Sequence, residues 1–196
     1  MARIAGGRPQ GERADAARNR RRVLQAAAAL FAERDPATVT MDDIARRAGV
    51  GRATLYRRYP DRTAIAAALL DEHERVLQDA LLAGPPPLGP GAPPAERLEA
   101  FLLALADLNE RHGHLSLAIE TERQRLATGA HGAWRLHVEH LLGEAGVGEE
   151  CHALADQLLA GVSPSLYRHQ RERLGLPAGE IRAALRLLAR RIAARP

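Results

Sequence analysis

The sequence contains no lysine: all 28 of its basic residues are arginine. Alanine is abundant as well, so the bias is compositional, and an arginine where a lysine would serve is not by itself a sign of bidentate recognition. Cysteine occurs once, at Cys151. That excludes an intrachain disulfide and a cysteine zinc site, and it fits a reducing, cytoplasmic setting. Long apolar runs are missing too. The longest, such as Ala26 to Ala32, falls far short of the roughly 18 to 20 residues that a bilayer requires, and the chain opens with no apolar signal core. Neither a membrane span nor a recognisable secretion signal is expected. There is no HExxH, no Cys/His cluster, no phosphate loop and no nucleophile–base pair, so no catalytic residue, metal or cofactor is expected, and the chain does not read as an enzyme. What is present is 196 residues, 46% hydrophobic and 27% charged, enough for one large domain or two small ones with a real core.

The net charge of +4 conceals an asymmetry. Residues 1–62 hold 14 arginines against 7 carboxylates, whereas residues 63–196 hold 14 against 17. A basic segment attached to a mildly acidic remainder is the electrostatic footprint of a nucleic-acid-binding module with a second, different domain. A division at 62/63 follows.

Along the chain, residues 1–14 are polar and glycine-rich and read as an arm. Helical period begins at Asp15, with Val23, Ala27, Leu30 and Phe31 on one stripe that ends at residues 34–36. Thr40-Met41-Asp42-Asp43 is a capping box that opens a short helix through Ala48, closed by Gly49. A third helix is expected at 52–59 and a fourth at 61–82, with Ile65, Leu69, Val76 and Ala80 on one face. Half of the 12 prolines lie between Pro85 and Pro94, a semi-rigid connector. Further helices are expected at 95–111, 115–127, 130–145, 149–171 and 178–194. No window alternates with period two. The fold class expected is all-α, with about nine helices.

Residues 41–59 carry the sharpest signal. Two helices that cross steeply through a short turn need a small residue at the contact, a residue tolerant of positive φ at the turn, and inward apolar residues from both. Ala45, Gly49 and the set Ile44, Val50 and Leu55 supply these. The segment is a helix-turn-helix, and its second helix is expected in a DNA major groove with N-terminal residues at the base edges. Two of the three tyrosines and four arginines fall between Arg52 and Arg62, on the segment expected to face the duplex.

The stretch from Thr40 through Ile65, TMDDIARRAGVGRATLYRRYPDRTAI, preceded by a helix ending AAALFAE, resembles the DNA-binding domain of the TetR (tetracycline-repressor-type) family of transcriptional regulators. The resemblance covers roughly residues 15–70. It implies three such helices, a fourth that leads into an all-α ligand-binding and dimerisation domain, and operator binding as a homodimer. It also implies that Thr40 holds a phosphate, that Arg52, Ala53 and Thr54 meet bases, and that Tyr56 and Arg62 bind phosphates. Arg57 stands at a base or phosphate position. Arg58 and Tyr59 replace a histidine and a phenylalanine common in the family, which suggests for Tyr59 a packed ring with its hydroxyl on the DNA side and leaves Arg58 without an assigned role. Gly51 stands where a capping serine is frequent, which weakens that cap.

In the second half, Ile181, Leu185, Leu188 and Ile192 form a seam on the last helix, and Leu154, Leu158 and Val162 form another on the helix before it. Each serves either a four-helix dimer interface or the chain's own core. A dimer is needed functionally, because one recognition helix reads a half-site and two would sit about 34 to 36 Å apart on a pseudo-palindrome. Residues 95–145 are expected to enclose a pocket for a small-molecule effector, with Leu105, Leu108, Trp134 and Leu141 as lining and His112, Glu120 and His137 as orienting groups. His137, His140 and Glu144 share a face compatible with a metal, but exposed histidines explain them as well. The function expected is a sequence-specific repressor released by an effector. The alternatives are a non-specific architectural DNA-binding protein and a small all-α enzyme using the histidines and Glu120.

Overall fold

The computed structural model describes residues 10–35, 38–119 and 129–193. Among them are nine α-helices, one π turn and no strand. The fold is all-α. The chain divides into two compact units, Met1–Leu69 and Leu70–Pro196. No helix among the described residues is long and apolar enough to cross a membrane.

In the first unit, α1 spans Gln10–Glu33, α2 Met41–Ala48 and α3 Arg52–Arg58. Helix α1 starts at Gln10 instead of Asp15, inside the segment expected to be an arm. Ala14, Ala16 and Ala17 favour helix, and Asp15 pairs with Arg18 one turn on. The core of this unit is aliphatic and small: Val23, Ala27, Leu30 and Phe31 of α1 close over Ile44 and Ala45 of α2 and Leu55 of α3, all buried. Helix α4, Arg62–Ala83, contributes Ile65 and Leu69.

In the second unit the buried face of α4 is set by Leu77 and Leu81, and Val76 is 60% exposed. The expected face through Val76 and Ala80 is therefore turned by about one residue. Helix α5 spans Pro94–Ile119, α6 Gly129–Glu144, α7 Cys151–Gly161, α8 Pro164–Arg168 and α9 Ala178–Ala193, with a π turn at His169–Arg173.

The helix expected to end at 111 continues to Ile119, because Leu108 and Leu115, both buried, carry the apolar stripe across Gly113. The expected helix at 149–171 is broken instead: Ser163 takes an extended backbone and caps the next helix, whose first residue is Pro164. Proline has no N–H for the preceding turn and disfavours a helical residue before it. The helix expected at 115–127 runs partly outside the described residues.

Candidate nucleic-acid interface

Helix α2, which leads into the turn before α3, is fixed at both ends. At the start, the Thr40 hydroxyl accepts from the Asp43 backbone N–H at 3.1 Å, and the Asp43 carboxylate accepts from the Thr40 N–H at 3.1 Å and from its hydroxyl at 2.8 Å. These bonds, the hydroxyl first, hold the Asp43 carboxyl below its ordinary range. At the end, Gly49 lies in the left-handed region with φ 61°, and its N–H closes onto Ala45 and Arg46. The Val50 N–H then bonds Ala45 at 3.1 Å. Helix α1 braces this turn from outside: an Arg22 Nη donates to the Gly49 carbonyl at 3.1 Å. A second brace joins α1 to α2, where Arg47 grips both oxygens of Glu33 at 2.6 and 2.7 Å.

With the turn fixed, α3 is presented on one anchor. Leu55 is its one buried residue; Arg52, Ala53, Thr54, Tyr56, Arg57 and Arg58 are exposed. Gly51 caps the helix without a side-chain bond. Arg52 is ion-paired with Asp42 of the first turn of α2. Tyr59 differs from its neighbours, since both its ring and its hydroxyl are buried, and among the described residues the hydroxyl has no hydrogen-bond partner. Arg57, Arg58 and Tyr59 line a cleft of about 410 Å³ with Asn19 and Val23 of α1. Arg62 opens α4, whose first turn is capped by Asp61 accepting from the Ala64 N–H at 2.8 Å.

The other candidates lie in the second unit. Leu105, Leu108, Trp134 and Leu141 are buried together in its core. His112 stacks on His73 of α4, ring centroids 3.7 Å apart. His137 meets the Phe101 ring edge-on at 5.1 Å, and burial, then Arg97, lowers its pKa to about 4. Glu120 lies outside the described residues. Among those described, no three potential ligands gather as a metal site.

Of the seam residues, Leu158, Val162, Ile181 and Leu185 are buried in the chain's own core; Leu154 and Ile192 pack against it. Leu188 stays 47% exposed beside Leu187. Sequence reasoning passed over a polar cluster where Glu110 accepts from the Tyr167 hydroxyl at 2.6 Å and is gripped by Arg171 at 3.1 Å through both oxygens. It also passed over Asp42, whose partner is ten residues on with no periodic signal to connect them.

Residues 23–69 match the family model for bacterial regulatory proteins of the tetR family. Over 56 residues the chain is 46% identical to an uncharacterized HTH-type transcriptional regulator of Mycobacterium tuberculosis, covering 29% of this chain and 28% of that one. It is 40% identical over 73 residues to the HTH-type transcriptional repressor LfrR of Mycolicibacterium smegmatis, covering 37% and 38%. The chain thus matches well under half the length of these relatives. The fold match is longer. A solved regulator from Saccharomonospora viridis, crystallised in complex with choline, superposes with a TM-score of 0.67 over 85% of this chain and 92% of its own, at 20% identity. Residues 23–69 thus carry the helix-turn-helix segment of the tetR family of bacterial regulatory proteins, on an all-α chain whose fold matches that of the solved regulator.

Proposed function

We propose that the protein is a sequence-specific DNA-binding transcriptional regulator, a repressor that binds a pseudo-palindromic operator as a homodimer and leaves it when a small molecule binds the second unit. The observation that carries this reading is α3: one buried anchor, Leu55, behind a surface of Arg52, Ala53, Thr54, Tyr56 and Arg57, on a turn braced by Arg22. A short helix so mounted can enter a major groove without rearranging. Arg52, Ala53 and Thr54 then meet base edges, and Thr40, Tyr56 and Arg62 meet phosphates. Base contacts choose the sequence; phosphate contacts supply affinity and its salt dependence.

Support for the effector is of a coarser kind. One structural neighbour was crystallised with choline, and the second unit holds buried apolar side chains with His112 and His137 among them. An effector lowers operator affinity only by binding the DNA-free arrangement more tightly. For the dimer, Leu187 and Leu188 supply the exposed apolar surface of the last helix.

Selection from a random duplex pool tests the reading. A palindromic consensus is expected, bound by two chains. Arg52→Ala is expected to lose preference at one base pair of each half-site, and Arg62→Ala to weaken all sequences alike with a shallower salt slope. Binding of random and selected DNA with equal affinity would instead identify a non-specific architectural protein.

A further inference from the structure

We infer that Asp42 is a specificity-determining residue: by pairing with Arg52 it aims that guanidinium at a base edge and withholds it from the phosphates. The inference rests on the proposed DNA-binding role and adds a residue to it.

Arg52 is the first residue of α3, and its side chain is 68% exposed. A free arginine there could reach either strand's phosphates through many rotamers, which gives affinity without sequence choice. Asp42 removes that freedom. It projects from the first turn of α2 with its carboxylate on the Arg52 guanidinium, and the turn between them is fixed by Gly49 and braced by Arg22. The neighbouring carboxylate cannot do this, because Asp43 is committed to the Thr40 cap and to Arg46.

A guanidinium offers five N–H donors in a planar fork. With one part held by Asp42, the remainder keeps a fixed direction and can still bond guanine O6 and N7. The carboxylate also neutralises Arg52 toward the backbone and repels phosphates that approach it. Asp42 therefore lowers affinity for all DNA while raising the ratio between the right sequence and the wrong one, which is specificity gained by penalising the competitor.

The test uses the full chain, its selected operator and a random duplex of the same length, titrated over a range of salt. Asp42→Asn is expected to bind random duplex about tenfold more tightly, to steepen the salt slope by about one ion as Arg52 gains a phosphate, and to lose preference at the base pair that Arg52→Ala also loses. Asp42→Glu, which keeps the charge, is expected to retain most of that preference. In an Arg52→Ala background, Asp42→Asn is expected to change affinity without changing base preference further. Thermal melts of each variant separate loss of fold from loss of reading. An Asp42→Asn consensus identical to the wild type's, with all sequences bound more tightly by one common factor, would overturn the inference and leave the DNA-binding role standing. A wild-type chain that selects no sequence would overturn both.

Discussion

Arg22 and Gly49, 27 residues apart, meet where an Nη of the first donates to the carbonyl of the second at 3.1 Å. That nitrogen lies 2.5 Å from where a Cβ on Gly49 would sit. Gly49→Ala therefore meets two costs, a positive φ of 61° and the displacement of the arginine tip. The tip is flexible and moves cheaply. The backbone term dominates, and a loss of about 1 to 2 kcal/mol is expected in denaturant melts. Arg22→Gln should cost less than this while leaving the helices in place by circular dichroism.

The Thr40 hydroxyl both caps α2 and lowers the Asp43 pKa. Thr40→Ala should cost about 1 kcal/mol and move the Asp43 titration upward, readable by NMR of its carboxyl carbon. Thr40→Ser should restore both. If the serine variant kept the cap but lost operator affinity, the methyl group rather than the hydroxyl would be the part DNA requires.

His137 and His73 are both held below the ordinary histidine range, first by burial and then by a nearby arginine, Arg97 for the former and Arg111 for the latter. The unfolded chain accepts a proton near pH 6.5; folded His137 does so near pH 4. The sign follows: stability is full above about 6.5 and declines as the pH falls toward 4. Urea melts at pH 7.5, 6 and 5 should show this decline, and it should be smaller in His137→Phe. A wild-type stability that rose on acidification across this window would contradict the assignment.

Tyr167 donates to Glu110 at 2.6 Å, and burial followed by this bond pushes its pKa up to about 12. Arg171, the larger cause, and Tyr167 together hold the Glu110 carboxyl below its ordinary range. Tyr167→Phe removes a charge-assisted bond while Arg171 keeps its grip. The expected cost is about 1 to 2 kcal/mol with an unchanged dependence on denaturant, and the Glu110 titration should move upward without returning to its unperturbed position.

What could be read in the sequence was what is local. The box at Thr40 and Asp43 joins residues three apart, and Gly49 announces its backbone by its type. The aliphatic stripe of α1 recurs within two turns. What could not be read was pairing across the fold: Arg22 meets the Gly49 carbonyl 27 residues on, and Arg47 meets Glu33 14 residues back, with no local pattern to announce either. Ile181 and Leu185 had the spacing of a dimer seam, yet that spacing suits any helix with one covered face, and their own chain covers them. The break at Ser163-Pro164 was legible and outvoted by the apolar pattern on either side.

Helices α5 and α9 are pinned twice. Glu99 holds Arg190 at 2.7 Å and Arg186 at 3.5 Å, while Asp107 holds Arg182 through both oxygens. Both helices separate their pins by eight residues, about 12 Å of rise. Their antiparallel alignment works like a vernier with two coincident marks: a slip of one turn, about 5.4 Å, would leave Arg186 opposite one carboxylate and part the other from its arginine. Two such marks, with the buried Phe101, Leu105, Ile181 and Leu185 between them, set the register in which α5 and α9 pack.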